Sequence, residues 1–271
     1  MDNPYSPQFA VIEAVIDETP TIKTLVLRPG KPISFKAGQF MQLTVPGLGE
    51  APFTPSSSPS IAERMEITIL RAGRITEALH QMKPGDGIGL RGPFGKGYPL
   101  DKLQGKEVLV VGGGVGLAPL RSLLLALFGS PGKYRKISIK YGARNSAELL
   151  YHRSFEEWRK LDKVDVAVTV DVADQTWRGK VGLVTTLLKN LDVAIPDSFA
   201  ICCGPSIMLR FVTFELLSGG YTPQQIYLSM NRRMSCGTGK CGRCNVGPYY
   251  LCKDGPDMNY DLIKDYPNVF A

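Results

Sequence analysis

Four of the six cysteines lie close together near the C-terminal end of the chain. They have the spacing C-x4-C-x2-C-x7-C and are Cys236, Cys241, Cys244 and Cys252. Plant-type ferredoxins use this spacing for a 2Fe–2S cluster, with three thiolates on one tight loop and a fourth further along. Glycines at positions 237, 239 and 242 suit that use, because a loop around a cluster needs positive-φ residues whose N–H groups approach the sulfurs. The pattern therefore predicts a cluster held by these four cysteines.

Two other uses of the four cysteines remain open. A structural zinc site more often shows two C-x2-C pairs separated by a longer insert, whereas here only Cys241 and Cys244 have that spacing. Two disulfides are the second alternative, although a chain of 271 residues has core enough without them. The spacing favours the iron–sulfur cluster over both.

The composition is that of a soluble globular protein, with 44% hydrophobic and 21% charged residues, and the length of 271 suggests two domains. The formal net charge is +7. No recognition helix, aromatic RNA-binding motif or paired zinc finger accompanies this charge, so nucleic acid is not an expected partner. The basic surface is expected to be solvated, and part of it to dock an acidic partner or steer a phosphorylated cofactor.

Two features of the sequence bear on its location. The N-terminal residues lack a basic region followed by an apolar core, so no signal peptide is expected. The most apolar stretch, residues 108–132, is rich in glycine and interrupted by Arg121, which argues against a membrane span. Cysteines grouped for metal binding then favour a reducing cytoplasm.

Residues 1 to about 100 are predicted to form a small antiparallel barrel. Apolar and polar residues alternate over residues 9–15, 22–27, 39–45 and 65–70, and Pro, Gly and Asp turns separate these segments. Short, evenly spaced strands of this kind are typical of such barrels.

One polar stretch in this region has the composition of a cofactor site. Phe53 and Thr54 precede a run of hydroxyl residues that includes Ser56 and Ser57. An aromatic face beside hydroxyl donors suits a flat heterocycle with polar edges. An ordinary Ser/Pro loop is the alternative interpretation.

A second stretch has the composition of a phosphate site. Arg71, Gly73, Arg74 and Ile75 lead to Thr76 at the start of a helical pattern. Thr76 is the predicted N-cap, and the free N–H groups of a helix start bind phosphate. The alternative is an ordinary capped helix without a ligand.

The pattern changes from Lys106 onward. A continuous apolar run at residues 108–111 predicts a strand buried on both faces of a parallel sheet. A helix is expected to follow through Leu127, and a strand, a glycine turn and a helix together place a pyrophosphate at the helix start. Such a turn alone is a weak signal, and Pro119 departs from the usual fingerprint. The turn consists of Gly112, Gly113, Gly114, Val115 and Gly116.

Strand and helix patterns alternate further along, which predicts a doubly wound α/β domain. We expect strands at residues 136–141, 164–169 and 198–203, and helices at about 147–160, 183–190 and 209–218. Ligands bind at the carboxyl ends of such strands. The residues at those ends are Arg144, Cys203, Gly204 and Pro205. The isolated His80 and His152 are read as a helix-face residue and a surface residue.

Together these motifs resemble the ferredoxin–NADP reductase superfamily, in its branch with a C-terminal 2Fe–2S loop. That branch includes the sulfhydrogenase gamma subunit, the corresponding subunit of anaerobic sulfite reductase, the flavin oxidoreductase subunit attached to heterodisulfide reductases and the electron-transfer subunit of dihydroorotate dehydrogenase B. The resemblance covers nearly the whole chain. It is carried by residues 49–54 (Gly-Glu-Ala-Pro-Phe-Thr), 73–76 (Gly-Arg-Ile-Thr), 91–95 (Arg-Gly-Pro-Phe-Gly), 112–119, 203–205 with Met208, and 232–256.

The resemblance implies an N-terminal antiparallel β-barrel that binds FAD (residues 1–100), a doubly wound α/β NAD(P) domain (101–228) and a C-terminal 2Fe–2S loop and tail (229–271). Phe53 is expected to stack on the flavin, with Thr54 at the ring edge. The 73–76 turn is expected to hold the FAD pyrophosphate. The glycines at 112–116 are expected to receive the NAD(P)H pyrophosphate, and residues 203–205 to lie beside the nicotinamide.

The chain departs from the superfamily at one position. The flavin motif usually begins with Arg, and here that position is Ala51. The usual cation on the flavin phosphate is therefore missing, which leaves FAD versus FMN open, with Arg71 or Arg74 as candidate substitutes. NADH versus NADPH is also open, because a single Arg144 after a strand is weak evidence for a 2′-phosphate site.

The resemblance predicts an electron-transfer subunit that moves electrons between NAD(P)H and a partner redox enzyme. The expected partners are catalytic subunits with further iron–sulfur clusters, because nothing else in the sequence indicates terminal chemistry. The docking candidates are Arg232, Arg233, Lys240 and Arg243. The alternatives are a stand-alone flavin reductase with a diffusible acceptor and a structural subunit that binds zinc. The terminal substrate and the direction of electron flow stay open.

Overall fold

The structure is a computed structural model that describes residues 3–270. Its strands are β1 (Gln8–Asp17), β2 (Ile22–Pro29), β3 (Phe40–Val45), β4 (Gly49–Phe53), β5 (Met65–Leu70), β6 (Gly87–Phe94), β7 (Glu107–Gly113), β8 (Lys136–Ala143), β9 (Val164–Val170), β10 (Lys180–Val181), β11 (Ser198–Cys203), β12 (Ile226–Ser229), β13 (Asn245–Val246), β14 (Tyr249–Tyr250) and β15 (Asp257–Asn259). Its α-helices are α1 (Arg74–Gln81), α2 (Leu100–Leu103), α3 (Leu117–Phe128), α4 (Phe155–Arg159), α5 (Ser206–Ser218), α6 (Leu251–Asp254) and α7 (Tyr260–Ile263).

The chain divides into two compact units that do not follow sequence order. The first unit contains the residues up to Tyr98, a short piece at Arg121–Ala126, and Met230–Asp257. The second contains Pro99–Leu120, Leu127–Ser229 and the residues from Met258 onward. We call Met230–Asp257 the cysteine segment, because it carries all four predicted cluster ligands. It belongs to the same unit as the N-terminal strands.

The first unit is built on a six-stranded antiparallel sheet with the order β4-β3-β6-β1-β2-β5. Alternation along each strand sends one set of side chains inward, where Leu25, Leu43 and Ile67 have no exposed surface. Helix α1 covers part of this core through Leu79. The antiparallel architecture predicted for the N-terminal region is confirmed.

The second unit is built on a seven-stranded sheet with the order β10-β9-β8-β7-β11-β12-β15. The pairs from β10 to β12 are parallel. In chain order, β7 is followed by β8 and β9 on one side and by β11 and β12 on the other, which is the doubly wound arrangement. Residues Val108–Val111 are completely buried, as expected for a strand covered on both faces.

Two predicted helices of this unit are wrong. The region 147–160 forms short 3₁₀ turns at Ser146–Glu148 and His152–Ser154, followed by α4. Leu149, Leu150 and Tyr151 are all buried in succession, which a helix with one buried face does not allow, and Tyr151 has a φ of 55°. The region 183–190 is instead a 3₁₀ helix, Val184–Leu188. Its β-branched Val, Thr and Thr lose side-chain freedom in an α-helix.

None of the helices in the described part of the chain has the length and the apolar character needed to cross a membrane. The reading of the two histidines holds in part. His152 is exposed, whereas His80 is buried and its Nε2 lies 2.9 Å from the carbonyl oxygen of Ile69.

The carboxyl ends of β7 and β11 lie side by side where the strand order of the second sheet reverses. The backbone approaches closely there: a Cβ atom added at Gly116 would lie 2.4 Å from the carbonyl oxygen of Cys203. By contrast, Gly114 has a φ of 54° and nothing within 4 Å of an added Cβ. The first position requires glycine for space, and the second only for its backbone conformation.

This contrast predicts different costs for two substitutions in the same turn. Gly116→Ala should lower the free energy of unfolding by about 1–3 kcal/mol, because two backbones must separate. Gly114→Asn should change it by only about 0.5 kcal/mol, since asparagine adopts the left-handed conformation readily. Chemical denaturation of the two variants measures both. Equal losses would show that the close approach at Gly116 is unimportant.

Candidate functional site

The cysteine segment brings its fourth cysteine back to the first three through a short hairpin. Strands β13 and β14 pair antiparallel around a turn at Gly247, and α6 follows at once. The N–H of Leu251 donates to the carbonyl oxygen of Cys244 over 3.1 Å. Cys252, the second residue of α6, is thereby returned to the loop that carries the other ligands.

Backbone N–H groups of the loop point at two of the cysteine sulfurs. Cys236 Sγ accepts from the N–H groups of Thr238, Lys240 and Cys241 at 3.4, 3.3 and 3.5 Å. Cys252 Sγ accepts from the N–H of Gly239 at 3.1 Å. This geometry depends on the positive φ of 75° at Gly239. Such donors stabilise thiolates and tune an iron–sulfur cluster.

The hydrogen bonds change the acidity of Cys236. Partial burial raises the pKa of its thiol, but the hydrogen bonds from the N–H groups of Cys241, Thr238 and Lys240 outweigh that effect and lower the pKa to about 6. Within residues 3–270 no three or more His, Cys, Asp or Glu side chains form a group that could hold a metal ion. A four-cysteine 2Fe–2S cluster divides its thiolates between two irons. The donor set and its N–H environment fit that group.

The four cysteines differ in exposure. Cys244 and Cys252 are buried, Cys236 is partly buried and Cys241 is exposed. A cluster on these ligands would therefore come nearest to solvent at Cys241. The neighbouring Lys240 is also exposed, which makes this end of the loop basic.

A cavity of about 620 Å³ lies in the same unit as the cysteine segment. One wall comes from the end of β4 and from α1, and the other from the residues just before and among the cysteines. The lining residues are Glu50, Ala51, Pro52, Phe53, Thr76, Asn231, Arg232, Arg233, Met234, Ser235 and Arg243. An aromatic ring, a hydroxyl and three guanidinium groups suit a flavin with its phosphate.

Three other arginines supply positive charge to the cavity, although position 51 holds Ala in place of the usual Arg. Arg232, Arg233 and Arg243 line it, and all three belong to the cysteine segment. The sequence predicts a partner-docking role for these arginines and offers Arg71 or Arg74 as the substitute cation. Arg71 and Arg74 do not line the cavity. No local motif links residue 51 with residues 232–243, so the sequence alone did not reveal this use of the three arginines.

Only some of the predicted flavin residues line the cavity. Phe53 and Thr76 line the cavity, whereas Thr54, Gly73 and Ile75 do not. Ile75 packs against the hydrophobic core of the first unit. Contacts of Thr54 and Gly73 with a flavin stay predictions.

Ser56 and Ser57 are both buried, and their hydroxyls bond within the protein. Ser56 Oγ lies 2.9 Å from Thr68 Oγ1 and donates to the carbonyl oxygen of Glu66. Ser57 Oγ accepts from the N–H of Glu66 at 3.1 Å. These bonds fasten the loop to β5, and a role for either serine in binding flavin stays a prediction.

The prediction of Thr76 as an N-cap is wrong. Helix α1 begins at Arg74 with Gly73 as its N-cap, so Thr76 is its third residue. Its hydroxyl accepts from the N–H groups of Ala72 and Gly73 at 2.8 and 2.9 Å. The capping role belongs to a side chain that reaches backward, a capping-box arrangement in which threonine occupies the position usual for Glu or Gln.

The predicted nucleotide residues gather at the reversal point of the second sheet. Gly112 and Gly113 end β7, and Gly114–Gly116 form a 3₁₀ turn that leads into α3. A Cβ atom at Gly113 would lie 2.1 Å from Met208 Sδ, and one at Gly204 would lie 2.4 Å from it. Cys203 is buried, and Pro205 is the N-cap of α5. The turn and the strand end meet as a dinucleotide site requires.

Arg144 follows β8 directly and is exposed. Burial raises the pKa of the nearby Asp171, and the positive charge of Arg144 partly offsets that increase. A cation and a carboxylate therefore lie close together beyond these strand ends. They would act in opposite directions on a 2′-phosphate, so the choice between NADH and NADPH stays open.

Because arginines line the candidate flavin cavity, we expect flavin binding to depend on the flavin phosphate. Arg233→Gln should raise the dissociation constants of FMN and FAD about tenfold, the equivalent of one charge-assisted hydrogen bond. Riboflavin, which has no phosphate, should bind equally well to variant and parent. Fluorescence titration of the flavin-free protein measures all three, and Arg28→Gln, at an exposed position of β2, is the control. Equal weakening for riboflavin would contradict a phosphate contact.

Comparison with known families identifies three regions of the chain. Residues 10–98 match the oxidoreductase FAD-binding domain, and residues 110–213 match the oxidoreductase NAD-binding domain. Residues 231–264 match the iron–sulfur cluster binding domain of dihydroorotate dehydrogenase B. The predictions of FAD-, NAD- and iron–sulfur-binding domains are therefore confirmed, and the last of these domains covers residues 231–257 of the cysteine segment and continues to residue 264.

Relatives match over nearly their full length. Sulfhydrogenase 1 subunit gamma of Pyrococcus furiosus is 36% identical, covering 99% of this chain and 96% of the relative. A probable dihydroorotate dehydrogenase B (NAD(+)) electron transfer subunit of Methanocella arvoryzae is 36% identical over 95% and 92%. The solved NADH-dependent reduced ferredoxin–NADP oxidoreductase shares the fold, with a TM-score of 0.75, 24% identity and coverage of 94% and 91%. The chain therefore belongs to the family of the sulfhydrogenase gamma subunits and the dihydroorotate dehydrogenase B electron transfer subunits, and it carries oxidoreductase FAD-binding, NAD-binding and iron–sulfur cluster binding domains.

Proposed function

We propose that this chain carries electrons between NAD(P)H and a partner redox subunit, as the electron-transfer component of a heteromeric oxidoreductase. The observation that carries the proposal is that the candidate flavin cavity and the cluster ligands share one segment. Residues 231–235 and Arg243 line the cavity, and Cys236, Cys241 and Cys244 are interleaved with them. One short stretch of chain thus borders both sites.

When bound, the flavin and the cluster supply the change from two-electron chemistry with a nicotinamide to one-electron transfer. The protein supplies the binding groups. The glycine turn at 112–116 offers backbone N–H groups to a pyrophosphate, and Phe53 offers an aromatic face. Arg232, Arg233 and Arg243 offer charge to a flavin phosphate.

The partner is proposed to be a catalytic redox subunit with further iron–sulfur clusters. The relatives named above are subunits of a sulfhydrogenase and of a dihydroorotate dehydrogenase. Exposed Cys241 with its neighbour Lys240 is the proposed point of exit for electrons. The six free cysteines and the need for reduced thiolates favour the cytoplasm as location.

Two other functions remain as alternatives. A stand-alone NAD(P)H flavin reductase would turn over fully as a single chain with a diffusible acceptor. A structural subunit with zinc at the cysteines would have no visible colour. The cavity lined by three arginines and an aromatic ring favours a bound flavin over the structural role.

The first test is an anaerobic visible spectrum of the purified chain before and after NADH and then NADPH. We expect flavin bands with a broad iron–sulfur shoulder, bleached by one of the two nucleotides, which would name the donor. Metal and sulfide analysis should give equal amounts of iron and sulfide. A colourless protein that contains zinc would reject the proposal in favour of the structural subunit.

The docking surface is tested best at Lys240, because Arg232 and Arg243 line the cavity and their substitution would also affect flavin binding. Lys240→Glu should slow reduction of the partner subunit severalfold at low salt, with the difference shrinking as salt rises. NAD(P)H oxidation with an artificial acceptor should be unchanged. Lys189→Glu, an exposed lysine of the second unit, has the same charge change and is the control. Equal partner rates for the two variants would exclude docking through Lys240.

A further inference from the structure

Arg91 of β6 is a buried cation, with only 4% of its side chain exposed. Its guanidinium binds Glu50 with two hydrogen bonds, from Nε to Oε1 at 2.8 Å and from Nη2 to Oε2 at 2.5 Å. The remaining donors bind backbone carbonyl oxygens. Nη1 donates to Pro4 at 2.9 Å and to Cys236 at 3.3 Å, and Nη2 donates to Ser235 at 3.4 Å.

A second buried side chain continues this set of contacts. Gln42 lies opposite Arg91 in the pairing of β3 with β6, and it is completely buried. Its Nε2 donates to the carbonyl oxygen of Met234 at 2.6 Å. Its Oε1 has no hydrogen-bond partner within the described residues. Burying an amide with one unsatisfied atom costs free energy. The structure offers one reason to keep Gln42 at this position, which is its hydrogen bond to the cysteine segment.

Gln42 and Arg91 therefore hold three successive carbonyl groups, those of residues 234, 235 and 236. These residues lead up to and include Cys236, the first predicted cluster ligand. Residues 234 and 235 also line the candidate flavin cavity. The two side chains fix the backbone at the place where the cavity ends and the cysteine loop begins.

Glu50 connects the same contacts to the cavity. It lines the cavity from β4, and Thr44 Oγ1 donates to its Oε1 at 2.7 Å. The hydrogen bond from Arg91 keeps the pKa of Glu50 below its usual value, against the effect of burial. Both members of the pair are therefore charged at neutral pH, with Glu50 at the cavity and Arg91 against the backbone of Cys236.

We propose that Arg91 and Gln42 are positioning residues that fix Cys236 relative to the flavin cavity, and that the Glu50–Arg91 charge pair sets the electrostatic environment of the cluster. This inference rests on the proposed function for the identity of the cluster. Cluster potential responds to net charge and to hydrogen bonds around its ligands. Arg91 is buried, and an unbalanced charge at a buried position acts more strongly than one at the surface.

The sign of the electrostatic effect separates it from a structural effect. Arg91→Met removes a positive charge and leaves Glu50 unbalanced, so the reduction potential of the cluster should fall. Glu50→Gln removes the negative charge and leaves Arg91 unbalanced, so the potential should rise. The double variant restores balance and should return close to the parent value. If the pair only stabilised the loop, all variants would shift the potential in one direction or not at all.

The experiment is a redox titration of the cluster in the full chain, followed by electron paramagnetic resonance. The variants are R91M, E50Q and the double variant, with Arg28→Met as a control, because Arg28 forms an exposed ion pair with Glu13 on the same sheet. Opposite shifts for R91M and E50Q support the proposal. Shifts of the same sign, or no shift, overturn its electrostatic part.

Hydrogen exchange of the cluster-free chain tests the positioning part without any cofactor. Gln42→Leu and Arg91→Lys should speed amide exchange at residues 234–241 by tenfold or more, while exchange in β1 and β2 stays at the parent rate. Arg91→Lys keeps the charge, so its cluster potential should remain close to the parent value and it covers the case in which R91M does not fold. Unchanged exchange in both variants overturns the positioning role.

The two proposals fail in different ways. A parent chain that takes up no iron and sulfide would reject the proposed function, and the exchange experiment would then still decide the positioning role alone. A parent chain with a normal cluster and variants that behave as the parent would leave the proposed function intact and reject this inference.

Discussion

The ion pair between buried Arg91 and the more exposed Glu50 joins parts of the first unit that are far apart in sequence. Arg91 uses its guanidinium to contact the N-terminal residues, the end of the sheet and the start of the cysteine loop. Because Arg91 is buried, loss of its carboxylate partner would leave its charge without compensation and would destabilise the fold. The cysteine segment thus meets the sheet at a point where the structure tolerates little variation.

Backbone contacts extend this joint. The N–H of Lys96 donates to the carbonyl oxygen of Gly255 at 2.7 Å, and a Cβ atom at Gly95 would lie 2.4 Å from that same oxygen. The two ends of the cysteine segment are therefore both held against the N-terminal sheet, one by side chains and one by backbone. Between the N-terminal strands and the cysteine segment, both of which belong to the first unit, the chain forms most of the α/β sheet of the second unit. This explains how a C-terminal sequence contributes half of a cavity whose other half comes from β4 and α1.

The second unit follows a different physical logic. Its site arises from the reversal of strand order in a parallel sheet, where the close approach of Gly116 to the carbonyl group of Cys203 leaves room only for glycine. Met208 fills the space over Gly113 and Gly204. The candidate nucleotide site is thus formed by the topology of one sheet, whereas the candidate flavin cavity is formed by the meeting of two distant segments. Each unit brings one part of the electron-transfer chemistry.

The amino-acid sequence was sufficient to predict the features that depend on local pattern, because these need no knowledge of packing. Cysteine spacing indicated the candidate cluster ligands, alternation located the N-terminal strands, and the glycine turn after an apolar run indicated the candidate nucleotide site. These signals are local because strand alternation, turn conformation and loop length act over a few residues. Local pattern was less reliable at 147–160, where consecutive buried residues form short turns in place of the expected helix.

Features that depend on long-range contact emerged only in the folded chain: Gln42 meets a residue 192 positions away, and Arg91 meets one 145 positions away. No local pattern reveals that three arginines of the cysteine segment face a cavity with Phe53, or that the hydroxyls of Ser56 and Ser57 are used within the protein. The physical reason is that burial and hydrogen-bond partners are set by which segments pack together, and a single sequence specifies that packing only through the whole fold.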